Sequence, residues 1–264
     1  MKETAVATDF TGKTALITGA GRGIGQAIAL GLADAGASLI LLARSTAQLA
    51  ETRAMLIAQG AAAERIRIVP VDLGDEEQRT RATEAALGPG RVDILINNAA
   101  TVEPLGATAA IPAEELRRAF EVNVVAAAAL TAAVLPGMLD AGWGRIVNVS
   151  SAIVARPDAM VRGNAYAATK AALEAHTINL AAELRGTGVT VNAYRPGGVD
   201  TAMQAWIRQQ DPERIGAALH QRFTRNFADG TLITPGQSAA ALIARLSGDD
   251  TGAIWDVSAA PVRS

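Results

Sequence analysis

Short, continuous apolar runs alternate with longer mixed segments along almost the whole chain. The runs show no strict apolar–polar alternation, which is typical of strands in a parallel sheet covered on both faces. Seven runs predict strands, at residues 14–18, 38–43, 67–71, 92–97, 145–150, 189–194 and 253–257. The segments between them predict helices, at residues 24–35, 46–59, 75–87, 112–140, 165–185 and 235–246.

Repeated strand–helix units predict one α/β domain over residues 1–264. It has three layers, with helices on both faces of a doubly wound parallel sheet of about seven strands. Helix-end signals agree, because Asp75 and Gln78 have the spacing of a capping box, and Gly36 and Gly60 follow helical segments as C-terminal stops. Residues 202–234 break the alternation. They are polar, arginine-bearing and weakly apolar, and they predict an excursion from the core.

Composition narrows the class of protein. Half of the 264 residues are hydrophobic, enough for one domain with a large core. A net charge of −2 from interspersed acidic and basic residues weighs against a nucleic-acid partner. The chain has no cysteine, which excludes disulfides and thiolate metal sites, and its two histidines, His176 and His220, lie far apart, so we expect no metal.

No membrane partner is expected. The first ten residues lack the apolar core of a signal peptide. The longest apolar run, 124–135, is shorter than the about 20 residues that span a bilayer. We therefore expect a buried helix there and a cytoplasmic protein.

The stretch at residues 18–25, TGAGRGIG, joins the first predicted strand to the first predicted helix. Such a unit presents a helix N-terminus to a phosphate, and its glycines allow a tight turn and close approach of the backbone. The spacing is GxxxGxG rather than GxGxxG, since Ile24 or Gln26 takes the third glycine position, and no GK[ST] ends it as in a P-loop. On its own the stretch also fits a purely structural turn.

Ligands of such a sheet bind beyond the carboxyl ends of its strands. Polar and turn residues follow the first six predicted strands. After the glycine turn they are Ala43 to Ser45, Asp72 and Leu73, Asn97 to Ala100, Ser150 and Ser151, and Arg195 to Gly198. Polar residues flank strands in any fold, yet the whole set at one edge favours a ligand site.

The end of the second predicted strand bears on the choice between NAD(H) and NADP(H). An NAD site usually carries Asp or Glu there, for the ribose 2′-hydroxyl, but this chain has Ala43 followed by Arg44. A guanidinium binds a 2′-phosphate through paired hydrogen bonds, and Arg22 in the glycine turn could reach the same phosphate. Each arginine alone also fits a surface charge. The missing acid and the two arginines together predict a preference for NADP(H) over NAD(H).

Tyr166 and Lys170 stand four residues apart in a strongly helix-forming segment, so they share one helix face. A nearby ammonium favours phenolate, which predicts that the pKa of Tyr166 falls from near 10 toward the range of acid–base catalysis. Ser151, at the ligand edge, can hydrogen-bond a substrate oxygen beside Tyr166, whereas Ser150 is expected on the opposite face of its strand. A Tyr four residues before a Lys is common by chance. The interpretation of this pair as catalytic therefore depends on Ser151 at the same edge.

Five motifs, TGAGRGIG, NNAA, NVSS, YAATK and RPGGVDT, occur in this order over residues 10–257. The ordered set resembles the short-chain dehydrogenase/reductase family in its common short form, in particular members similar to NADP(H)-dependent 3-oxoacyl-carrier-protein reductases. The resemblance implies a Rossmann fold and hydride transfer with a nicotinamide cofactor. It also implies that Tyr166 is the acid/base, that Lys170 lowers its pKa and binds the nicotinamide ribose, and that Ser151 orients substrate. Asn123 matches the asparagine that holds a water in the proton relay to the lysine.

Roles toward the cofactor follow from the same resemblance. Asp72 resembles the acid that contacts adenine, Asn98 lies in the motif that stabilises the central strand, and Val199 and Thr201 match residues that hold the carboxamide. NNAA stands where the family usually has NNAG, so Ala100 adds a methyl group that we expect to be tolerated. The expected cofactor-binding set is Gly19, Arg22, Gly23, Ile24, Gly25, Arg44, Asp72, Leu73, Asn98, Ala99, Tyr166, Lys170, Pro196, Gly197, Val199 and Thr201.

Two segments bear on the substrate. The loop between Ser151 and Tyr166 is slightly longer than is usual in the family and carries Arg156 and Arg162. The segment near 202–234 would form a lid over the pocket, as in the family. It contains Met203, Trp206, Ile207, Phe223, Arg208, Arg214, Arg222 and Arg225. A solvated helix face explains these arginines, and a pocket for an acidic or phosphorylated substrate is the sharper alternative.

The expected function is NADPH-dependent reduction of a carbonyl to a secondary alcohol. The same residues would run the reverse oxidation, as in hydroxysteroid-type dehydrogenases, so the direction stays open. A catalytically idle NADP(H)-binding sensor or scaffold is an alternative that the intact Asn–Ser–Tyr–Lys set disfavours. A methyltransferase that uses S-adenosylmethionine is disfavoured by Thr18, where an acidic residue would be needed. The resemblance implies a homodimer or homotetramer packed through the helices at 112–140 and 165–185.

Overall fold

The computed structural model describes residues 9–88 and 90–258, so most of the N-terminal stretch lacking a signal-peptide core lies outside the described residues. Seven parallel strands form one sheet in the order β3-β2-β1-β4-β5-β6-β7, which confirms the predicted doubly wound α/β class. The strands are β1 Thr14–Thr18, β2 Ser38–Ala43, β3 Ile66–Pro70, β4 Ile94–Asn97, β5 Gly144–Val149, β6 Val189–Arg195 and β7 Ile254–Asp256. The order reverses between β1 and β4, and ligand crevices lie at such a reversal.

Helices cover both faces of the sheet. They are α1 Gly23–Asp34, α2 Thr46–Ala58, α3 Glu76–Leu87, α4 Ala113–Phe120, α5 Ala126–Asp140, α6 Asn164–Glu183, α7 Ala202–Arg208, α8 Pro212–Ile215, α9 Ala217–Ala228 and α10 Pro235–Ile243. Gly36 and Gly60 lie just past α1 and α2 with φ of +85° and +100°, as C-terminal stops require. Asp75 caps α3 through the Gln78 N–H, but the predicted reciprocal bond is absent. The Gln78 side chain instead accepts from the Asp72 N–H and donates to the Asp75 carboxylate.

The segment predicted as one helix over 112–140 is continuous but not regular. A π-helical turn, Glu121–Val125, joins α4 to α5, and Pro136 lies inside α5. By length and composition alone the resulting 28-residue helix, Ala113–Asp140, could cross a membrane, a test that core helices of soluble proteins also pass. One side of α5, including Leu130 and Val134, is buried in the sheet core, as the buried-helix interpretation expects.

Three apolar clusters organise the described residues. One lies between the sheet and α1, α2 and α10, and a second lies on the other face under α3, α5 and α6. The third is separate and belongs to the excursion at 202–234, which folds as α7, α8 and α9. Its buried members are Val102, Leu105, Ile153, Met160, Ala167, Ile207, Ile215, Leu219 and Phe223. The excursion is therefore anchored by a small core of its own beside the carboxyl edge of the sheet.

Candidate active site

One large cleft, of about 1910 Å³, runs along the carboxyl edge of the sheet. It is lined by residues that follow β1, β2, β3, β4, β5 and β6, so the polar strand ends predicted from the sequence do come together. All the sequence-predicted site residues line it except Gly25 and Asn123, which lie immediately behind its wall.

The turn between β1 and α1 is close-packed against the end of β4. A side chain at Gly25 would overlap the carbonyl oxygen of Gly19, and one at Gly19, where φ is +66°, would lie 2.9 Å from Asn98 Nδ2. Asn98 donates to the Thr18 carbonyl at 2.9 Å, and Thr18 Oγ1 accepts from the N–H groups of Asn98 and Ala99. Asn98 thus ties the central strands together, as its motif implied.

This turn fits a phosphate-bearing cofactor. The residue before α1, Arg22, gives no side-chain cap, and no acidic residue lies in the first turn of α1. The first N–H groups of a helix lack partners within the helix, and its dipole favours an anion there. With glycines on both sides, the pyrophosphate of a dinucleotide could approach this backbone closely, while the long cleft accommodates the rest.

Arg22 and Arg44 are exposed and line the end of the cleft next to β1 and β2, where the adenosine of a dinucleotide would lie. Neither makes a side-chain hydrogen bond or ion pair with any described residue. Asp72 lies near Arg44 but is bound elsewhere, since its carboxylate accepts from Arg118 at 2.6 Å and from the Gly74 N–H. Burial would raise the pKa of Asp72, but these two bonds, with the charges of Arg118 and Arg44, hold the pKa below its ordinary value. The acid that the resemblance assigns to adenine is therefore already paired in this structure.

At the other end of the cleft, β5 and α6 bring Ser151, Tyr166 and Lys170 together. Ser151 lies two residues after the end of β5 and accepts from the Ile153 N–H, and a hydrogen bond connects its side chain with that of Tyr166. Lys170 is buried, donates to the Val149 carbonyl at 2.7 Å, and has its Nζ 5.8 Å from the centre of the Tyr166 ring. Ser150, expected on the opposite face of its strand, instead donates to Glu174 on the same helix α6, lines the same cleft and is 2% exposed.

The predicted lowering of the Tyr166 pKa is wrong for this structure. Burial raises the pKa of Tyr166, and its hydrogen bond with Ser151 opposes that only in part. The ammonium of Lys170 is bound to a backbone carbonyl and lies beside the ring. Burial also lowers the pKa of Lys170 to about 8, against a weaker raising effect from Glu174. Burial disfavours the charged form of both groups, a cost that their spacing along the helix does not reveal.

A buried ion pair under Lys170 was not anticipated. Glu174 lies one helical turn after Lys170 and accepts from Arg195 at 2.7 and 2.8 Å and from Ser150 Oγ at 2.6 Å. The spacing of four from Lys170 was a signal for Glu174, but nothing local indicates Arg195, which reaches it because β6 pairs with β5. The pair connects α6 with the ends of two strands.

Asn123 lies in the π-helical turn, 1% exposed. Its side chain accepts from the Thr101 N–H and donates to the Thr101 carbonyl and to Thr169 Oγ1, at 2.8 to 3.0 Å. Thr169 in turn donates to the Tyr166 carbonyl. Asn123 therefore connects the loop after β4 to the turn of α6 that carries Tyr166, and π-helical turns are frequent at functional sites.

The remaining predicted residues close the cleft between its two ends. Val199 is buried and forms a parallel bridge with Ile233, while Thr201 caps α7. A side chain at Gly23 would touch Thr201 at 3.5 Å, so the start of the excursion faces the glycine turn. Pro196 and Gly197 line the wall before it, and Ala100 also lies in the lining.

The structure sorts the apolar and basic residues of the excursion. Met203, Ile207 and Phe223 line the cleft and Trp206 does not, although it packs against the third cluster. Arg214 and Arg222 also line it, together with Arg156, but Arg208 and Arg225 do not.

The histidines and acids are the side chains that could bind a metal, and none was expected to do so. The described part of the chain contains no group of three or more His, Asp or Glu side chains that could hold a metal ion. His220 contacts the Arg208 carbonyl at 3.0 Å, and buried His176 Nε2 has no hydrogen-bond partner among the described residues.

Comparisons with known proteins agree with the fold. The family model for short chain dehydrogenases matches residues 13–212. The ketoacyl reductase HetN of Nostoc sp. is 37% identical over 213 residues, which cover 79% of this chain and 71% of HetN.

L-sorbose reductase from Gluconobacter frateurii, solved with NADPH and L-sorbose, is 27% identical with a TM-score of 0.83. A provisionally assigned NAD(P)-dependent gluconate 5-dehydrogenase from Beutenbergia cavernae, with NADP at low occupancy, is 32% identical with a TM-score of 0.81. Each alignment with these two structures covers 95% of this chain and 97% of the other. The chain therefore belongs to the short-chain dehydrogenase/reductase family of oxidoreductases.

Proposed function

We propose that this protein reduces a ketone to a secondary alcohol with NADPH. The observation that carries the proposal is the meeting of Ser151, Tyr166 and Lys170 in the same cleft as a glycine turn that fits a pyrophosphate. An idle sensor would not need a buried lysine beside a tyrosine at the substrate end. The same groups catalyse the reverse reaction, and the reductive direction is proposed by analogy with HetN and the L-sorbose reductase.

The mechanism assigns each step to a side chain of this chain. Ser151 and Tyr166 hydrogen-bond the carbonyl oxygen and so polarise the carbon. When bound, the reduced nicotinamide supplies hydride to that carbon. Tyr166 donates its proton to the developing alkoxide, which is a much stronger base than the phenolate left behind. Burial raises the pKa of Tyr166, so the phenol is protonated at neutral pH before the transfer. Lys170 stabilises the resulting phenolate, and Asn123 holds the loop and helix that frame it.

The preference for NADP(H) rests on charge at the adenosine end. Arg22 and Arg44 have no partner among the described residues, and no acid stands at Ala43. Two such guanidiniums favour a 2′-phosphate over a hydroxyl. Both structures reported above contain NADP or NADPH, which supports the same preference.

We also infer one domain that assembles as a homodimer or homotetramer and works in the cytoplasm. The two helices expected at the contact carry exposed large apolar side chains. These are Leu116, Val125, Leu139 and Ile178, each between 38 and 48% exposed. Apolar side chains on neighbouring helices favour a contact between copies.

The central experiment measures consumption of NADPH and of NADH with a panel of ketones, for wild type and Tyr166→Phe. General acid catalysis contributes about 10²- to 10⁴-fold, so we expect the variant to lose at least a hundredfold in kcat while keeping NADPH binding by fluorescence titration. Near-normal turnover of Tyr166→Phe would refute its role. No turnover of any ketone by wild type, with NADPH bound, would favour the sensor alternative.

A further inference from the structure

Only some of the arginines near the excursion are available to a substrate. Arg208 is turned inward, 15% exposed, with its guanidinium 4.0 Å from both Asp200 and the centre of the Phe227 ring. Arg225 lies outside the lining of the cleft. Arg156 and Arg222 line the cleft from two different segments, the loop after β5 and helix α9.

These two arginines flank one tight turn. The Ala159 N–H donates to the Arg156 carbonyl at 3.0 Å, and the Arg222 guanidinium donates to the Ala159 carbonyl. A turn closed by such a bond brings its first and last Cα within about 7 Å. The Arg156 side chain has no hydrogen-bond or ion-pair partner among the described residues, and Arg222 has no acidic one. Burial and the charge of Arg156 both lower the pKa of Arg222, so the two cations are close enough to repel.

Arg214 is different and is left out of the pair. It donates to the Leu105 carbonyl at 3.3 Å, two residues from Glu103, an acid that also lines the cleft. Asp158 belongs to the same turn as Arg156, but it is exposed and outside the lining of the cleft, and in the described part of the chain no carboxylate lies within ion-pair distance of Arg156 or Arg222. Below them the wall is apolar, with Ile153, Met160 and Phe223 buried in the third cluster.

We propose that Arg156 and Arg222 bind an oxyanion, carboxylate or phosphate, that the substrate ketone carries. Two adjacent guanidiniums without an acid repel each other, and an oxyanion placed between them removes that repulsion and accepts paired hydrogen bonds from each. Because Ser151, Arg156 and Arg222 line the same cleft, one substrate could place its carbonyl at Ser151 and its anion at the two arginines. This inference rests on the proposed ketone reduction and names its substrate class.

The test compares matched ketones that differ in charge. Acetoacetate is paired with methyl acetoacetate, and dihydroxyacetone phosphate with dihydroxyacetone, which distinguishes carboxylate from phosphate. Because two guanidinium groups would contact the anion, we expect wild type to favour the anionic member of at least one pair by roughly tenfold in kcat/KM. The double variant Arg156→Gln/Arg222→Gln should lose this preference, because its kcat/KM should fall further for the anionic member than for the neutral member of the pair. Arg225→Gln, on the same helix but outside the cleft, is the control and should change neither.

A separate binding measurement keeps this inference apart from the proposed function. Titration of the NADPH-saturated protein with inorganic phosphate is expected to give about fivefold weaker binding in the double variant than in wild type or Arg225→Gln. Equal phosphate binding, or equal kcat/KM for both members of each pair in wild type, would overturn the anion site. Absence of any ketone reduction with the phosphate difference intact would overturn the proposed function alone.

Discussion

The two ends of the cleft are built in different ways. At the cofactor end, the turn after β1 is fixed by groups that belong to adjacent strands, and glycines stand where any side chain would collide with backbone. At the substrate end, the wall comes from a loop of short turns and from α7, α8 and α9, which share a small apolar cluster separate from the two sheet cores. A close-packed end that binds a constant cofactor is joined to an end whose shape can vary with little effect on the sheet.

The largest expected effect contrasts two glycines at the cleft, Gly25 in the turn after β1 and Gly198 in the wall between its two ends. In Gly25→Ala the new Cβ would overlap the Gly19 carbonyl oxygen and approach Asn98 Nδ2, so the turn must move. Overpacking of this kind costs about 1–3 kcal/mol or more, and we expect NADPH affinity to fall by roughly a hundredfold. In Gly198→Ala the Cβ would lie 3.3 Å from the flexible end of Leu232. That variant should bind NADPH normally, as measured by fluorescence titration.

Thermal unfolding of both variants is the control, because it shows whether a loss of NADPH binding comes from the turn itself or from loss of the fold. If Gly25→Ala bound NADPH as wild type does, the turn after β1 would be as adaptable as the wall near Gly198. If Gly198→Ala were the more damaging change, the contrast would be reversed.

The second prediction tests whether charge at the cofactor end selects the cofactor. Arg44→Asp places a carboxylate where a 2′-phosphate would lie and adds repulsion from nearby Asp72. We expect the ratio of kcat/KM for NADPH to that for NADH to fall by about tenfold or more. Arg185→Asp makes the same change in net charge on an exposed residue outside the cleft and should leave the ratio unchanged. An unchanged ratio in Arg44→Asp would sink the assignment of Arg44 to the phosphate.

The contrast also explains what the sequence could predict. The glycine turn, Ser151 and the Tyr166–Lys170 spacing depend on residues close together in the chain, so pattern was enough to place them in one cleft. The ion pair of Glu174 and Arg195 depends on how β6 lies beside β5, which no local pattern reveals. The π-helical turn inserts one residue into a helix whose apolar pattern looks unbroken.

The substrate end was the least predictable for the same reason. The segment at 202–234 looked weakly apolar, yet Ile207, Ile215 and Phe223 are buried together with residues from three other segments. The arginines of this segment also could not be told apart from the sequence. The fold shows that Arg208 faces inward and that Arg222 lines the cleft.

The smallest predicted effect concerns the pKa of Lys170. Burial lowers the pKa of Lys170 to about 8 and Glu174 raises it. If catalysis needs the ammonium, kcat/KM for ketone reduction should fall as pH rises through the pKa of Lys170. Glu174→Gln removes the raising effect and leaves the Arg195 cation, so the alkaline limb should move to lower pH, by less than about one unit, or tenfold in rate.

Arg195→Gln makes the opposite prediction and so separates electrostatics from stability. Without the guanidinium, the Glu174 charge acts on Lys170 uncompensated, and the alkaline limb should move to higher pH. Both variants break the same buried pair, and both should lower the free energy of unfolding, by about 3–5 kcal/mol for a fully buried pair and less for partly exposed Arg195. A purely structural role would therefore lower activity in both without moving the two pH profiles apart. Opposite shifts would mean that this pair, built from strand β6 and helix α6, sets the charge of the lysine on which both ends of the cleft converge.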